Sequence, residues 1–245
     1  MGLNLKAVVG HLQALEDTII GELIERAQFK HNPCIYKPAK SGFKEYPDKS
    51  LFDIRLLLEE KLDALFGRFT VPEERPFNKE LPKPKRVFRR PETGLALEDL
   101  NAVNLTPYII PAYLSLVPNI CEEGEDGHHG SSVEHDVGAF RAISERIHYG
   151  SLYVAECKFQ DNQQEYSKLI IAKDEKGLMN MLTVPEREIQ ILKRIHHKVA
   201  HIQAEVDPSL RRIIQADAIV GFYRGYVIPL TKKGEVIYLL QRLNR

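Results

Sequence analysis

The chain has 245 residues, 43% apolar and 28% charged, enough for a substantial core in one large domain or two small ones. Its 34 Lys and Arg balance 34 Asp and Glu, so no global field draws nucleic acid or an anionic membrane, and anion recognition must be local. Three irregularly spaced cysteines, Cys34, Cys121 and Cys157, argue against a disulfide framework and for a reducing, cytoplasmic setting; no apolar run suits a signal peptide or a membrane span.

Helical periodicity dominates. Leu5, Val8, Leu12, Leu15, Ile19 and Leu23 form one stripe on a long first helix. The prolines and glycine of residues 31–42 break it. Leu51, Ile54, Leu58, Leu62, Leu65 and Phe69 mark a second helix, and residues 70–97, with Pro72, Pro76, Pro82, Pro84 and Pro91, read as a surface excursion. A third helix fits 108–120 with Pro111 in its first turn, and 121–132 is a polar loop. Helical segments follow over 133–160 and 162–174, with a turn around Gly177. Thr183, Pro185 and Glu186 predict a capping box opening a helix that runs to about Val206. Asp207 and Pro208 then cap a last helix, kinked at Pro229. The fold class is all-α: one domain over 1–245, a helical bundle completed across a dimer.

No P-loop, GxGxxG, GxSxG, HExxH or CxxC pair occurs. His197 and His201 have zinc-ligand spacing, but no third ligand is assigned. His128, His129, Glu134, His135 and Asp136 read as a polar loop feeding a helix. More informative are Arg146, Lys158, Glu188, Thr231 and Glu235, all on stretches that must form a core, with Thr231 and Glu235 on one face at i, i+4. Spacing alone leaves open whether they share a pocket or are solvated charges.

Four stretches resemble the eukaryotic, all-helical chorismate mutases, in order along nearly the whole chain: LNLKAVVGHLQALEDTIIGELIERAQF, SERIHYGSLYVAECKFQ, YSKLIIAKDEKGLM and VIPLTKKGEVIYLLQRL. The resemblance implies an all-α homodimer with no cofactor and no metal, which rearranges the dianion chorismate to prephenate. It implies that Arg146 grips a carboxylate and Lys158 reaches the ether oxygen and a carboxylate. Glu188 would accept from the ring hydroxyl, Thr231 would bond near a carboxylate, and a protonated Glu235 would donate to the ether oxygen. Electrostatic preorganisation of this kind needs no nucleophile.

The chain departs from that family at several positions. Val9 stands where the family has a substrate-binding Arg, with Lys6 the nearest cation, and Val184 stands for a pocket Asn. These changes make the pocket less cationic and favour a substrate with one carboxylate or none. The family's Arg and Lys are eleven residues apart, about 20° from alignment on an α-helix, whereas here Arg146 and Lys158 are twelve apart and about 120° out of line. A π-bulge in GSLYV would restore the alignment; without it, Cys157 takes the lysine's place. At the family's regulatory site Arg68 and Ser132 match, while Gly67, Ser131 and His135 replace a second Arg, a Gly and a Thr, against feedback control of the usual kind. Three readings follow: a chorismate mutase, a repurposed relative acting on a less anionic substrate, or an inactive relative that binds a partner.

Overall fold

In the computed structural model, which describes residues 3–85, 92–97 and 99–243, helix α1 (Leu5–Arg26) opens with Asn4, whose side chain accepts from the backbone N–H groups of Lys6 and Ala7. Its predicted stripe is buried from Val8 to Leu23, against α4 (His129–Tyr149). Two buried charges anchor α1 to its neighbours. Arg26 donates to Asp136 at 2.6 Å, and Tyr36 and Tyr113 donate to the same carboxylate. Glu16, fully buried, takes a fork from Arg194 at 2.8 Å on each oxygen, tying α1 to α8 (Pro185–Ile202). Asp136 is thus a structural anchor and not part of a polar loop.

Helix α2 (Leu51–Phe66) begins with the capping box of Ser50 and Asp53 and ends at Gly67, whose φ of 85° suits glycine. Its buried face differs from the predicted one: Phe52, Ile54, Leu56, Leu57 and Ala64 point inward, while Leu58, Leu62 and Phe66 are exposed. The helix is apolar on two sides, so a single stripe could be drawn through the wrong one. Of the predicted surface excursion, Pro91 and residues 86–91 lie outside the described residues.

Several boundaries move. Helix α3 (Thr106–Ile120) starts earlier than expected, so Pro111 lies beyond its first turn. Helix α4 takes in His129 to Ser132, the end of the expected loop. The chain continues through a π turn, Gly150–Val154, into α5 (Ala155–Asp161), then α6 (Gln163–Ile171) and α7 (Glu175–Leu182), which contains Gly177. The predicted capping box is absent: Val184 is the N-cap of α8 without a side-chain bond, and Thr183 turns its hydroxyl back to the Met179 carbonyl. Helix α8 stops at Ile202, and Asp207 lies in a turn, bonding Ser209. The final helical stretch starts only at α9 (Ala216–Phe222) and passes through a second π turn, Tyr223–Val227, into α10 (Ile228–Arg242). That turn ends two residues before Pro229, which lacks the N–H of a regular ladder and would clash in one.

Candidate active site

The π turn settles the geometry of the two cations. A π turn accommodates one extra residue, so twelve positions are carried through about the rotation that eleven give in an α-helix. Gly150 and Gly234 let the widened turn sit against α10: a Cβ on Gly150 would lie 2.7 Å from Thr231 Cγ2, and one on Gly234 would collide with Ser151. The Ser151 hydroxyl donates to the Ile147 carbonyl at 2.7 Å, inside the widened turn. Lys158 therefore faces inward toward α10, its Nζ 2.9 Å from Glu235 Oε2 and 3.1 Å from the Leu182 carbonyl. Cys157, the alternative occupant, is buried in the apolar cluster with Leu152, Phe159 and Tyr238.

These side chains border a cavity of about 140 Å³ between α1, α4, α5, α8 and α10. Of the expected residues, Arg146, Lys158, Glu188, Thr231, Glu235, Val9 and Val184 all line it. Lys6 does not: it is exposed, while Leu5, Val9 and Leu12 form the α1 wall. Three residues from Val9 is about 60° off its face, enough to carry the side chain outward.

Arg146 is 4% exposed, donates from Nη1 to Thr231 Oγ1 at 3.1 Å, and leaves its buried Nε without a partner. Its guanidinium lies over the Tyr223 ring, 5.9 Å from the centroid. A fork held in this way, with unspent donors, is suited to a carboxylate. Glu235 is 4% exposed; burial pushes its carboxyl above the usual carboxylate range, against the downward pull of Lys158, Arg146 and Lys232.

Two lining cations carried no signal in the sequence. Lys232 lies one residue after Thr231 and reaches Glu188 at 2.9 Å. Arg187, one residue before Glu188, is exposed at the rim, with no side-chain hydrogen bond or ion pair among the described residues. Arg146, Lys158, Arg187 and Lys232 thus face Glu188 and Glu235, a formal surplus of two positive charges. With Val9 on its α1 wall, the lining draws its cations from α4, α5, α8 and α10.

The expected regulatory residues do not converge within the chain. Arg68 bonds Glu74 at 2.9 Å, near Glu145 toward the C-terminal end of α4. Ser132 is fully buried at the other end of α4, accepting from Asn32, and His135 is 3.4 Å from Glu22. Ser131 is half-buried beside Ser132. The His197 and His201 rings stack 5.9 Å apart, and no third donor joins them among the described residues.

No protein-family model matches the chain. It is 39% identical over 249 residues to the chorismate mutase of Schizosaccharomyces pombe, covering 98% of this chain and 97% of that protein. It is 34% identical to the cytosolic chorismate mutase 2 of Zea mays, with 99% and 97% covered. Among solved structures, the Candida albicans chorismate mutase in complex with L-Trp superposes with a TM-score of 0.91 at 34% identity, over 98% of this chain and 92% of that one. The chloroplast enzyme of Zea mays gives 0.89 at 33%, over 99% and 96%.

Proposed function

Because the chain belongs to the eukaryotic, all-helical chorismate mutases, we propose that it converts chorismate to prephenate, in the cavity bordered by Arg146, Lys158 and Glu235, as one domain without a cofactor. The observation that carries this reading is the π turn, which keeps Lys158 beside Glu235 despite the extra residue. With Glu235 protonated, four cations face the single carboxylate of Glu188, a positive lining suited to a dianionic substrate.

The reaction breaks a C–O bond and forms a C–C bond in one pericyclic step, so no proton is exchanged. What the protein must do is hold the compact conformer and stabilise the charge that gathers on the ether oxygen. Arg146 grips one carboxylate through its unspent donors, with Thr231 fixing the guanidinium. Arg187 and Lys232 hold the other. The Lys158 ammonium and a protonated Glu235 flank the ether oxygen as paired donors. Glu188, oriented by Lys232, accepts from the ring hydroxyl. Losing the Arg and the Asn replaced by Val9 and Val184 removes hydrogen-bonding groups from the lining, where Arg187 and Lys232 still present cations.

The working unit in this reading is a homodimer, supported by the exposed Leu58, Leu62 and Phe66 at successive turns of α2. It acts in the cytoplasm, supported by three free thiols; among the described residues no helix is long and apolar enough to cross a membrane. Feedback control of the usual kind is not part of the reading, since Arg68 is engaged by Glu74 and Ser132 is buried. The test is to incubate the purified protein with chorismate and quantify prephenate, beside Arg146→Ala. Turnover by the wild type and its loss in the variant are expected; an intact wild type that makes no prephenate contradicts the proposal.

A further inference from the structure

Far from the cavity, three different donors converge on one point. Cys34 sits on the short turn Pro33–Tyr36, Glu125 in the loop after α3, and His129 at the first position of α4. Cys34 Sγ is 3.2 Å from Glu125 Oε2 and 3.5 Å from His129 Nε2, and His129 Nε2 is 3.1 Å from the same Glu125 oxygen. Usual zinc bond lengths at a tetrahedral angle place such ligands about 3.5, 3.6 and 3.3 Å apart, in the same order. The triangle already has the size of one face of a zinc tetrahedron.

Hydrogen bonding explains two of its edges. The thiol donates to Glu125 Oε2, and the imidazole Nε2–H can donate to that same oxygen. The sulfur-to-nitrogen edge closes the triangle at 3.5 Å, with donor and acceptor set by the imidazole tautomer. The scaffold behind them is tightly joined. The Asn32 side chain donates to Asp126 and to Ser132, and accepts from the Asp126 backbone. The backbone N–H of Lys30 also donates to Asp126, and those of His31 and Asn32 donate to the Glu122 and Gly124 carbonyls. The Cys34 N–H orients Glu125 by donating to its other oxygen at 3.0 Å. These second-layer bonds hold the donors in place before any ion arrives.

We propose that Cys34, Glu125 and His129 bind one zinc ion per chain, with water in the fourth position. Thiolate, imidazole and carboxylate together select zinc over magnesium or calcium, which prefer all-oxygen sites. On binding, the Cys34 thiol loses its proton to solvent and the imidazole proton moves to Nδ1, so one proton is released per ion. The ion joins the turn after α1 to the start of α4. It lies seventeen residues along α4 from Arg146, about 25 Å at the helical rise, so its role is to brace the bundle and not to take part in the rearrangement.

The test uses the full-length protein dialysed against a chelator and titrated with cobalt(II), then zinc. One cobalt per chain should bind with a thiolate-to-metal charge-transfer band, and zinc should displace it. A hundredfold excess of zinc over its Kd should raise the Tm by at least about 4 °C. Cys34→Ser should abolish the band and the Tm shift, and His129→Gln should weaken binding at least tenfold, both with unchanged helical circular dichroism. If Cys34→Ser does not fold, His129→Gln alone carries the comparison. No stoichiometric cobalt binding, or a band that survives either substitution at full strength, overturns the proposal.

Discussion

Exchanging two neighbouring residues on α5 separates a helix that widens at Gly150–Val154 from one that runs straight. In the structure Lys158 Nζ is 2.9 Å from Glu235, and Cys157 is 2% exposed among apolar side chains. Removing one donor aimed at charge in a transition state costs about 2.7–4 kcal/mol, or about 10²–10³ in kcat. Lys158→Ala should therefore lose at least about a hundredfold in kcat for chorismate. The double exchange Cys157→Lys with Lys158→Cys should be no more active than Lys158→Cys, because neighbours on an α-helix point about 100° apart. It should also lower the Tm, since the new lysine is driven into the cluster of Leu152, Phe159 and Tyr238. Steady-state assays and thermal melts on the three variants provide the comparison. If the exchanged protein turns over chorismate within about threefold of wild type, the chain tolerates a straight helix at this point and the role assigned to the π turn is refuted.

Arg187→Ala should raise the KM for chorismate about tenfold with little change in kcat, and the difference should shrink at high salt because the residue is exposed; an unchanged KM removes Arg187 from the substrate grip. Burial raises the Glu235 pKa, and its protonated form is the proposed donor, so kcat/KM should fall as pH rises through that pKa. Glu235→Gln, a donor at every pH, should flatten this limb, and an unaltered profile would assign the titration elsewhere. His148 is fully buried, accepting at Nε2 from the Leu105 N–H and 2.8 Å from the Ser144 carbonyl at Nδ1. Burial lowers its pKa to about 4. The unfolded chain binds this proton first, so the contribution is full above about pH 6.5 and is lost as pH falls towards 4, up to about 3 kcal/mol. Urea midpoints should decline through that window and the ring's NMR signals should not titrate above pH 5; a ring midpoint near 6.5 would contradict this. Phe66→Glu should shift the protein toward monomer in sedimentation experiments, and an undisturbed dimer would place the interface elsewhere.

The all-helical class and the α1 stripe were legible because a long amphipathic period is a strong signal. The widened turn was legible only by counting: one residue too many between Arg146 and Lys158 forces either a bulge or a rotated lysine. Arg187 and Lys232 were not legible, since a helix-surface cation reads the same whether it meets water or the rim of a cavity made by other helices. Lys6 was misplaced for the converse reason: a long side chain near the right face is no substitute for the right face. At Thr183 a local capping signal lost to the preceding helix, which takes the hydroxyl for its own last turn. The proposed metal triad draws its members from residues 34, 125 and 129, and only the folded chain brings the cysteine to the other two.

The claim that matters most is that this cavity recognises a rearranging dianion. Isothermal titration with a bicyclic dicarboxylate mimic of the transition state tests it directly. One tight site per chain is predicted, with affinity at least about a hundredfold above that of the matching monocarboxylate and lost in Arg146→Ala. Equal affinity for the two ligands, or binding that survives Arg146→Ala unchanged, would contradict the account.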